Sequence, residues 1–300
     1  MASSRNIAVF GLGSMGFGMA QSVLRAGHET HGFDVAEAPM ARFRALGGSG
    51  GAPGDIANTL DCVAVVVLNA AQTEAVLFGA DGIVPLLAPG ATVISCATVP
   101  PDFARAMAAK CAEFGVHYLD APISGGSVKA ADGALTMMCS GTDAAFDGAA
   151  PALDAMAEKV FNLGPEPGAG SAMKAVNQLL AGVHIATMAE ALTFGMTQGI
   201  APEDFLDVIR QCAGTSWMLE NRAPHIIAGD YTPHSAVDIW PKDLGIVQDI
   251  AASAGFDAPI TATALAQFRA ASEAGHGRED DAAVAKIYAA QAGLTLPGDA

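Results

Sequence analysis

Lys174 sits in the segment Gly170-Ser171-Ala172-Met173-Lys174-Ala175-Val176-Asn177, in a chain with only six lysines and 31 acidic against 15 basic residues. A lysine within an apolar helical stretch loses hydration of its charged form, which draws its pKa from about 10.4 toward neutrality. Such a side chain can accept or return a proton at working pH. Asn177 follows three residues later, so the two share a helix face and can address one small ligand. In isolation the lysine would read as a side chain snorkelling to the surface. The neighbouring patterns favour chemistry instead.

Gly11-Leu12-Gly13-Ser14-Met15-Gly16 directly follows an apolar β-branched run and opens a helical pattern. In that setting the first two glycines permit a tight turn and the close approach of a pyrophosphate to backbone N–H groups. The third lets helix and strand lie close together. Asp34 closes the next strand pattern, where an acid hydrogen-bonds the adenosine ribose hydroxyls and repels a 2′-phosphate, so NAD is expected over NADP. Ser124-Gly125-Gly126, within Asp120-Ala121-Pro122-Ile123-Ser124-Gly125-Gly126-Ser127, offers unhindered N–H groups and a hydroxyl to a carboxylate. Thr98 follows the fourth strand, at the edge where α/β sheets meet their ligands. Lys242-Asp243 is expected to begin a helix just after Pro241. His184 and Cys96 read more readily as interior side chains than as reactive ones.

These residues need a scaffold, and its rhythm is visible. Strands are expected at 6–10, 29–33, 62–68, 91–95 and 116–119 with helices between, the βαβ alternation of a doubly wound parallel sheet. Runs 135–140 and 159–163 read as further strands closing that sheet. The densest Pro/Gly cluster, 163–170, marks the change of composition, giving a Rossmann-type α/β domain over 1–165 and an all-α domain over 166–300. Helices are expected there at 174–199, 202–212, 242–254, 260–274 and 280–293.

Composition narrows the options. A net charge of -16 argues against nucleic acid and against an anionic membrane surface. An anionic ligand must therefore be held by local N–H groups and placed lysines. Five cysteines without a CxxC pair suit reduced cytoplasmic thiols, and no metal site is expected. The apolar stretch 179–200 carries His184, Glu190 and Gln198, which points to a buried interface helix and not to a membrane span.

Taken together, the Gly11–Gly16 turn, the Asp120–Gly126 segment, the Gly170–Asn177 segment and Lys242-Asp243-Leu244 resemble the four motifs of the β-hydroxyacid dehydrogenase family, the relatives of 3-hydroxyisobutyrate dehydrogenase. The resemblance runs end to end. Asn177–Ala186, Gly229–Pro233, Ser235–Ile239 and Gly275–Asp281 are similar to the branch of that family acting on L-threonate. The resemblance implies an NAD-dependent oxidoreductase in which Lys174 is the general base and Asn177 assists. Ser124, Gly125, Gly126, Lys174 and Asn177 would bind a small anionic hydroxy acid. Gly11, Leu12, Gly13, Ser14, Met15, Gly16, Asp34, Leu68, Asn69, Thr98 and Lys242 would bind NAD. It further implies oxidation of L-threonate at C2, with 3-hydroxyisobutyrate or a tartronate or succinic semialdehyde as the alternative substrate. A non-catalytic NAD-binding scaffold is the remote alternative. A homodimer or homotetramer is expected.

Overall fold

Apolar, β-branched runs suit a parallel sheet covered on both faces. Five strands make such a sheet here: β1 (Asn6–Phe10), β2 (Glu29–Phe33), β3 (Cys62–Val65), β4 (Thr92–Ser95) and β5 (His117–Asp120), with the more polar β2 and β5 at its edges. The computed structural model describes residues 4–298. All pairings in this sheet are parallel, in the order β2-β1-β3-β4-β5. Ile7, Ala8, Val9, Val63, Ala64 and Val65 have no exposed surface. Ile7, Val9, Val63 and Val65 each contribute about 1.5–3 kcal/mol on burial, and the alanines less.

Crossovers are supplied by α1 (Gly16–Arg25), α2 (Glu37–Ala45), a short α3 (Pro53–Ile56), α4 (Ala70–Phe78) and α5 (Pro101–Glu113). The connection reverses direction at β1, with β2 on one side and β3 on the other. That is the switch point at which such sheets open a crevice at their C-terminal edge. The loops after all five strands therefore gather on one edge, and every candidate residue between Gly11 and Gly126 lies in one of them or in the short element that directly follows it.

After β5 the chain makes β6 (Ile123–Ser124), α6 (Gly126–Asp132), β7 (Leu135–Cys139), α7 (Asp143–Met156) and β8 (Ala157–Asn162). Here the structure corrects the sequence reading. The late strands do not extend the parallel sheet but form their own three-stranded sheet, β6-β7-β8. The β6–β7 pairing is antiparallel and β7–β8 is parallel. The third strand also ends at Val65 and not at Leu68, since Leu68 is 59% exposed.

The chain divides into two compact units between Lys174 and Ala175. The second is helical: α8 (Ala169–Thr197) continues into it, followed by α9 (Pro202–Ile209), α10 (Trp217–Ala228), α11 (Ile239–Ser253), α12 (Pro259–Ala271) and α13 (Ala285–Ala292). The helix α10 is absent from the sequence reading, which has no helix between 213 and 241. Its interior Pro224 breaks the expected pattern, while a Ser216 N-cap starts it and Gly229 at positive φ ends it. Residues 280–293, expected as one helix, are a 3-10 turn followed by α13.

By length and composition α8 could cross a membrane. Instead Ile185, Ala189 and Leu192 are fully buried in the helical core with Leu244 and Phe268. At the centre of that core Arg222 Nε lies 2.5 Å from Asp281 Oδ1, and Trp240 Nε1–H donates to Asp281 Oδ2 at 2.9 Å. Cys62, Cys96, Cys111 and Cys139 are buried free thiols; Cys212 is exposed. Burial pushes Cys62, Cys111 and Cys139 up to about 12.

Candidate active site

The three glycines of the first loop differ in what they face. Gly11 has φ +93°, and a Cβ there would lie 2.2 Å from the Val66 carbonyl oxygen. A Cβ on Gly16 would lie 1.9 Å from the Gly11 carbonyl oxygen, so only glycine lets α1 start this close to its own loop. Gly13 has nothing within 4 Å of a built Cβ, and both it and Ser14 are exposed. Two glycines are thus needed by the fold, and the third keeps a surface open beside the start of a helix. This is the shape a pyrophosphate requires, and it satisfies the fit expected for a dinucleotide.

Asp34 stands at the end of β2. Its Oδ2 accepts from Leu12 N–H at 2.7 Å and its Oδ1 from Ala36 N–H at 2.8 Å. The carboxylate therefore sets the loop's shape, a task not visible in sequence, and keeps further lone pairs for ribose hydroxyls. No basic side chain occurs in Val35–Ala36, the residues that follow it, where Val35 is fully exposed. Leu12, Gly13, Ser14, Phe17, Arg42 and Ser127 are among the residues lining a cavity of about 380 Å³. Ser127 belongs to the substrate-motif segment, so the two loops border the same space. Asn69 acts as the N-cap of α4, accepting from Gln72 N–H at 2.9 Å. Thr98 is half-buried in the loop after β4.

Ser124 pairs with Thr136 across β6–β7, which fixes the strand leading into the glycine pair. Gly125 and Gly126 then take φ +137° and +80°, a conformation closed to other residues, and α6 begins at Gly126. Lys174 Nζ donates to the Ile123 carbonyl at 2.9 Å. The ammonium, on a residue 8% exposed, therefore lies against the residue that precedes Ser124. The sequence-predicted proton-transfer residue and the sequence-predicted carboxylate turn are brought together.

What holds Lys174 there was not legible beforehand. Asp120, 1% exposed at the end of β5, accepts from Gly168 N–H at 2.9 Å, Ser171 N–H at 2.8 Å and Ser171 Oγ–H at 2.7 Å. Ser140 Oγ accepts from Gly170 N–H at 2.9 Å and lies 3.3 Å from Asp120 Oδ2. These acceptors satisfy the orphan N–H groups that open α8, one turn before Lys174. Burial raises the Asp120 carboxyl above its ordinary range, against the lowering effect of those hydrogen bonds.

In the second unit, Asn177 Nδ2–H donates to Gln178 Oε1 at 3.0 Å and Gln178 Nε2–H to Asp243 Oδ2 at 2.5 Å. Lys242 Nζ lies 2.5 Å from Asp243 Oδ1. Lys242 does not open its helix, as the sequence reading had it. α11 begins at Ile239, which leaves Pro241 in the first turn, where no N–H is needed. His184 is half-buried on α8. Burial, with the nearby Cys139, Cys62 and Asp120, holds the Cys96 thiol well above its ordinary range, in keeping with an inert filler. No cluster of His, Cys, Asp and Glu suited to a metal occurs among the described residues.

Residues 6–164 match the family model of the NAD-binding domain of 6-phosphogluconate dehydrogenase. Residues 168–288 match that of the NAD-binding region of NADP-dependent 3-hydroxyisobutyrate dehydrogenase. An L-threonate dehydrogenase of Cupriavidus necator is 52% identical, with 99% of each chain covered. One from Escherichia coli K12 is 47% identical, over 99% of this chain and 98% of its own. A crystal structure of a 3-hydroxyisobutyrate dehydrogenase from Salmonella typhimurium superposes with a TM-score of 0.88 at 46% identity, covering 94% of this chain and 99% of the other.

Proposed function

The chain belongs to the β-hydroxyacid dehydrogenase family, the relatives of 3-hydroxyisobutyrate dehydrogenase, and from that premise we propose that it oxidises L-threonate at C2 to 2-dehydro-L-erythronate. The observation that carries the chemistry is the Lys174 ammonium held against Ile123, beside Ser124, Gly125 and Gly126. The substrate assignment is supported by the full-length similarity to L-threonate dehydrogenases.

Gly11 to Gly16 would hold the pyrophosphate, Asp34 the adenosine ribose, and Leu68, Asn69 and Thr98 would border the cofactor along the sheet edge. Lys242 would complete the cofactor set. When bound, NAD+ supplies the hydride acceptor. The absence of a basic residue next to Asp34 supports NAD over NADP. Ser124 Oγ–H and the N–H groups of the Gly125-Gly126 turn would grip the substrate carboxylate, which a chain of net charge -16 needs local donors to attract. Neutral Lys174, with one N–H committed to the Ile123 carbonyl, would take the C2 hydroxyl proton, and Asn177 would assist in orienting the substrate. Because oxidation of the alcohol releases a proton, it becomes more favourable as pH rises.

Lys174→Ala is expected to lower kcat by about 10²–10⁴-fold while NAD+ still binds, read by titration calorimetry. Near-normal turnover of that variant would remove Lys174 from the mechanism. A panel of L-threonate, D-threonate, D-erythronate and 3-hydroxyisobutyrate, followed by NADH absorbance, tests the substrate. Activity centred on 3-hydroxyisobutyrate, in line with the name of the Salmonella structure, would keep the chemistry and replace the substrate. The exposed Met173, Val176, Leu180 and Phe194 of α8 support a homodimer or homotetramer, and the buried free thiols support a cytoplasmic enzyme.

A further inference from the structure

Asp243 is 2% exposed, and both its oxygens are engaged: Oδ1 by Lys242 Nζ and Oδ2 by Gln178 Nε2. A carboxylate can only accept, and this fixes the sense of every bond leading away from it. Gln178, 7% exposed, must give its N–H to Asp243 and so turns its carbonyl Oε1 toward Asn177. Asn177 must then donate Nδ2–H to that carbonyl, which leaves Oδ1 as the end of its amide not committed to the chain. Without the carboxylate at its root, either amide could rotate by 180° with little loss, since the two ends of an amide have the same shape.

We propose that Gln178 and Asp243 are positioning residues that lock the Asn177 carboxamide with Oδ1, an acceptor, presented to the ligand, so that Asn177 reads a substrate hydroxyl and not the carboxylate. The inference rests on the dehydrogenase reading above and deepens it, because it names the class of substrate. A polyhydroxy acid carries a second hydroxyl that can donate to Oδ1, whereas a monohydroxy acid leaves that acceptor unpaired. A site built around a hydroxyl discriminates strongly against an analogue lacking it, since its own polar group is then stranded.

The test compares kcat/KM for L-threonate with that for its 3-deoxy and 4-deoxy analogues and for 3-hydroxyisobutyrate. The purified full chain is used, as the parent and as Gln178→Met and Asp243→Asn. Methionine keeps the volume of Gln178 and ends the relay. In Asp243→Asn the new carboxamide offers a donor as well as an acceptor and so frees the sense of the bonds. The parent is expected to prefer L-threonate over one deoxy analogue, and that preference is expected to fall about tenfold in either variant, the effect of one hydrogen bond. Both substrates use the same cofactor, so any change in cofactor affinity through Lys242 cancels in the ratio, and so does a general loss of folded enzyme. A merely structural role would lower both values together and leave the preference intact, which overturns the proposal. A parent that oxidises monohydroxy and polyhydroxy acids equally well also overturns it, while leaving the dehydrogenase reading in place. A parent inactive on every acid removes both. If Gln178→Met does not fold, Asp243→Asn alone decides.

Discussion

Removing the Asp120 carboxylate tests how Lys174, the proposed proton-transfer residue, is held. In Asp120→Ala the Gly168 and Ser171 N–H groups lose their acceptor in a buried setting, and each orphaned donor costs about 1–3 kcal/mol. The serine hydroxyls can rotate to other partners and add little. Against this, burial already disfavours the charge on Asp120, so its removal recovers part of the loss. The net expectation is a destabilisation of about 2–4 kcal/mol, or roughly 5–12 °C in Tm for a unit of this size. Lys174 lies one turn beyond Ser171, so a frayed first turn displaces its amine by about 1 Å, enough to cost on the order of 10²-fold in kcat. Asp120→Asn keeps an acceptor for the two N–H groups and can donate to Ser171 Oγ, so it is expected within about 1 kcal/mol of the parent.

The same pair yields a pH signature. The folded-state carboxyl of Asp120 is raised, so below the ordinary carboxylate range both states are protonated and nothing is lost. As pH climbs, the unfolded chain ionises while the folded one resists, and the parent loses stability relative to Asp120→Asn. The difference levels off above the folded value. Both tryptophans, Trp217 and Trp240, lie in the second unit, so unfolding is best followed by far-UV circular dichroism. A parent-like Asp120→Ala, an Asn variant as damaged as the Ala one, or a difference growing in the parent's favour with pH would refute the reasoning.

Three further outcomes are expected. Gly16→Ala should cost at least 1–3 kcal/mol by overpacking, because its Cβ meets the Gly11 carbonyl, whereas Gly13→Ala should keep the parent's Tm and weaken NAD+ binding at least about tenfold by blocking the phosphate approach. Calorimetry of folding and of binding separates the two, and the reverse assignment would end the reading of this loop. Asp34→Ala should weaken NAD+ and narrow its advantage over NADP+, measured as the ratio of the two dissociation constants; an unchanged ratio excludes Asp34 from the choice of cofactor. Asp281→Ala leaves Arg222 buried without its closest anion and should lower stability by about 3–5 kcal/mol, followed by Trp240 fluorescence in urea.

The local parts of this molecule were readable from its sequence. Strands β1, β2, β4 and β5, the glycine turn and the Lys174 helix each follow from a few adjacent residues. What escaped depends on residues distant in the chain. Asp120 was noticed as part of a segment that would meet substrate, yet its carboxylate serves Gly168 and Ser171, 48 and 51 positions later. Gln178 has no role in the sequence reading, because its partner Asp243 lies 65 positions on. The separate sheet β6-β7-β8 was misplaced because a strand's pattern records burial and not which neighbour it pairs with. α10 was missed because Pro224 interrupts the periodicity that announces a helix.

The burial of four cysteines leaves the chain with a built-in attachment point. Cys212, just beyond the end of α9, is the exposed thiol, while three of the others are pushed up to about 12 and lie inside the first unit. A maleimide at neutral pH should therefore label one position per chain with no engineered cysteine, suiting surface tethering or single-molecule work. Any label taken up beyond that first equivalent counts openings of the parallel-sheet core, so the stoichiometry of modification over time becomes a clock for its breathing.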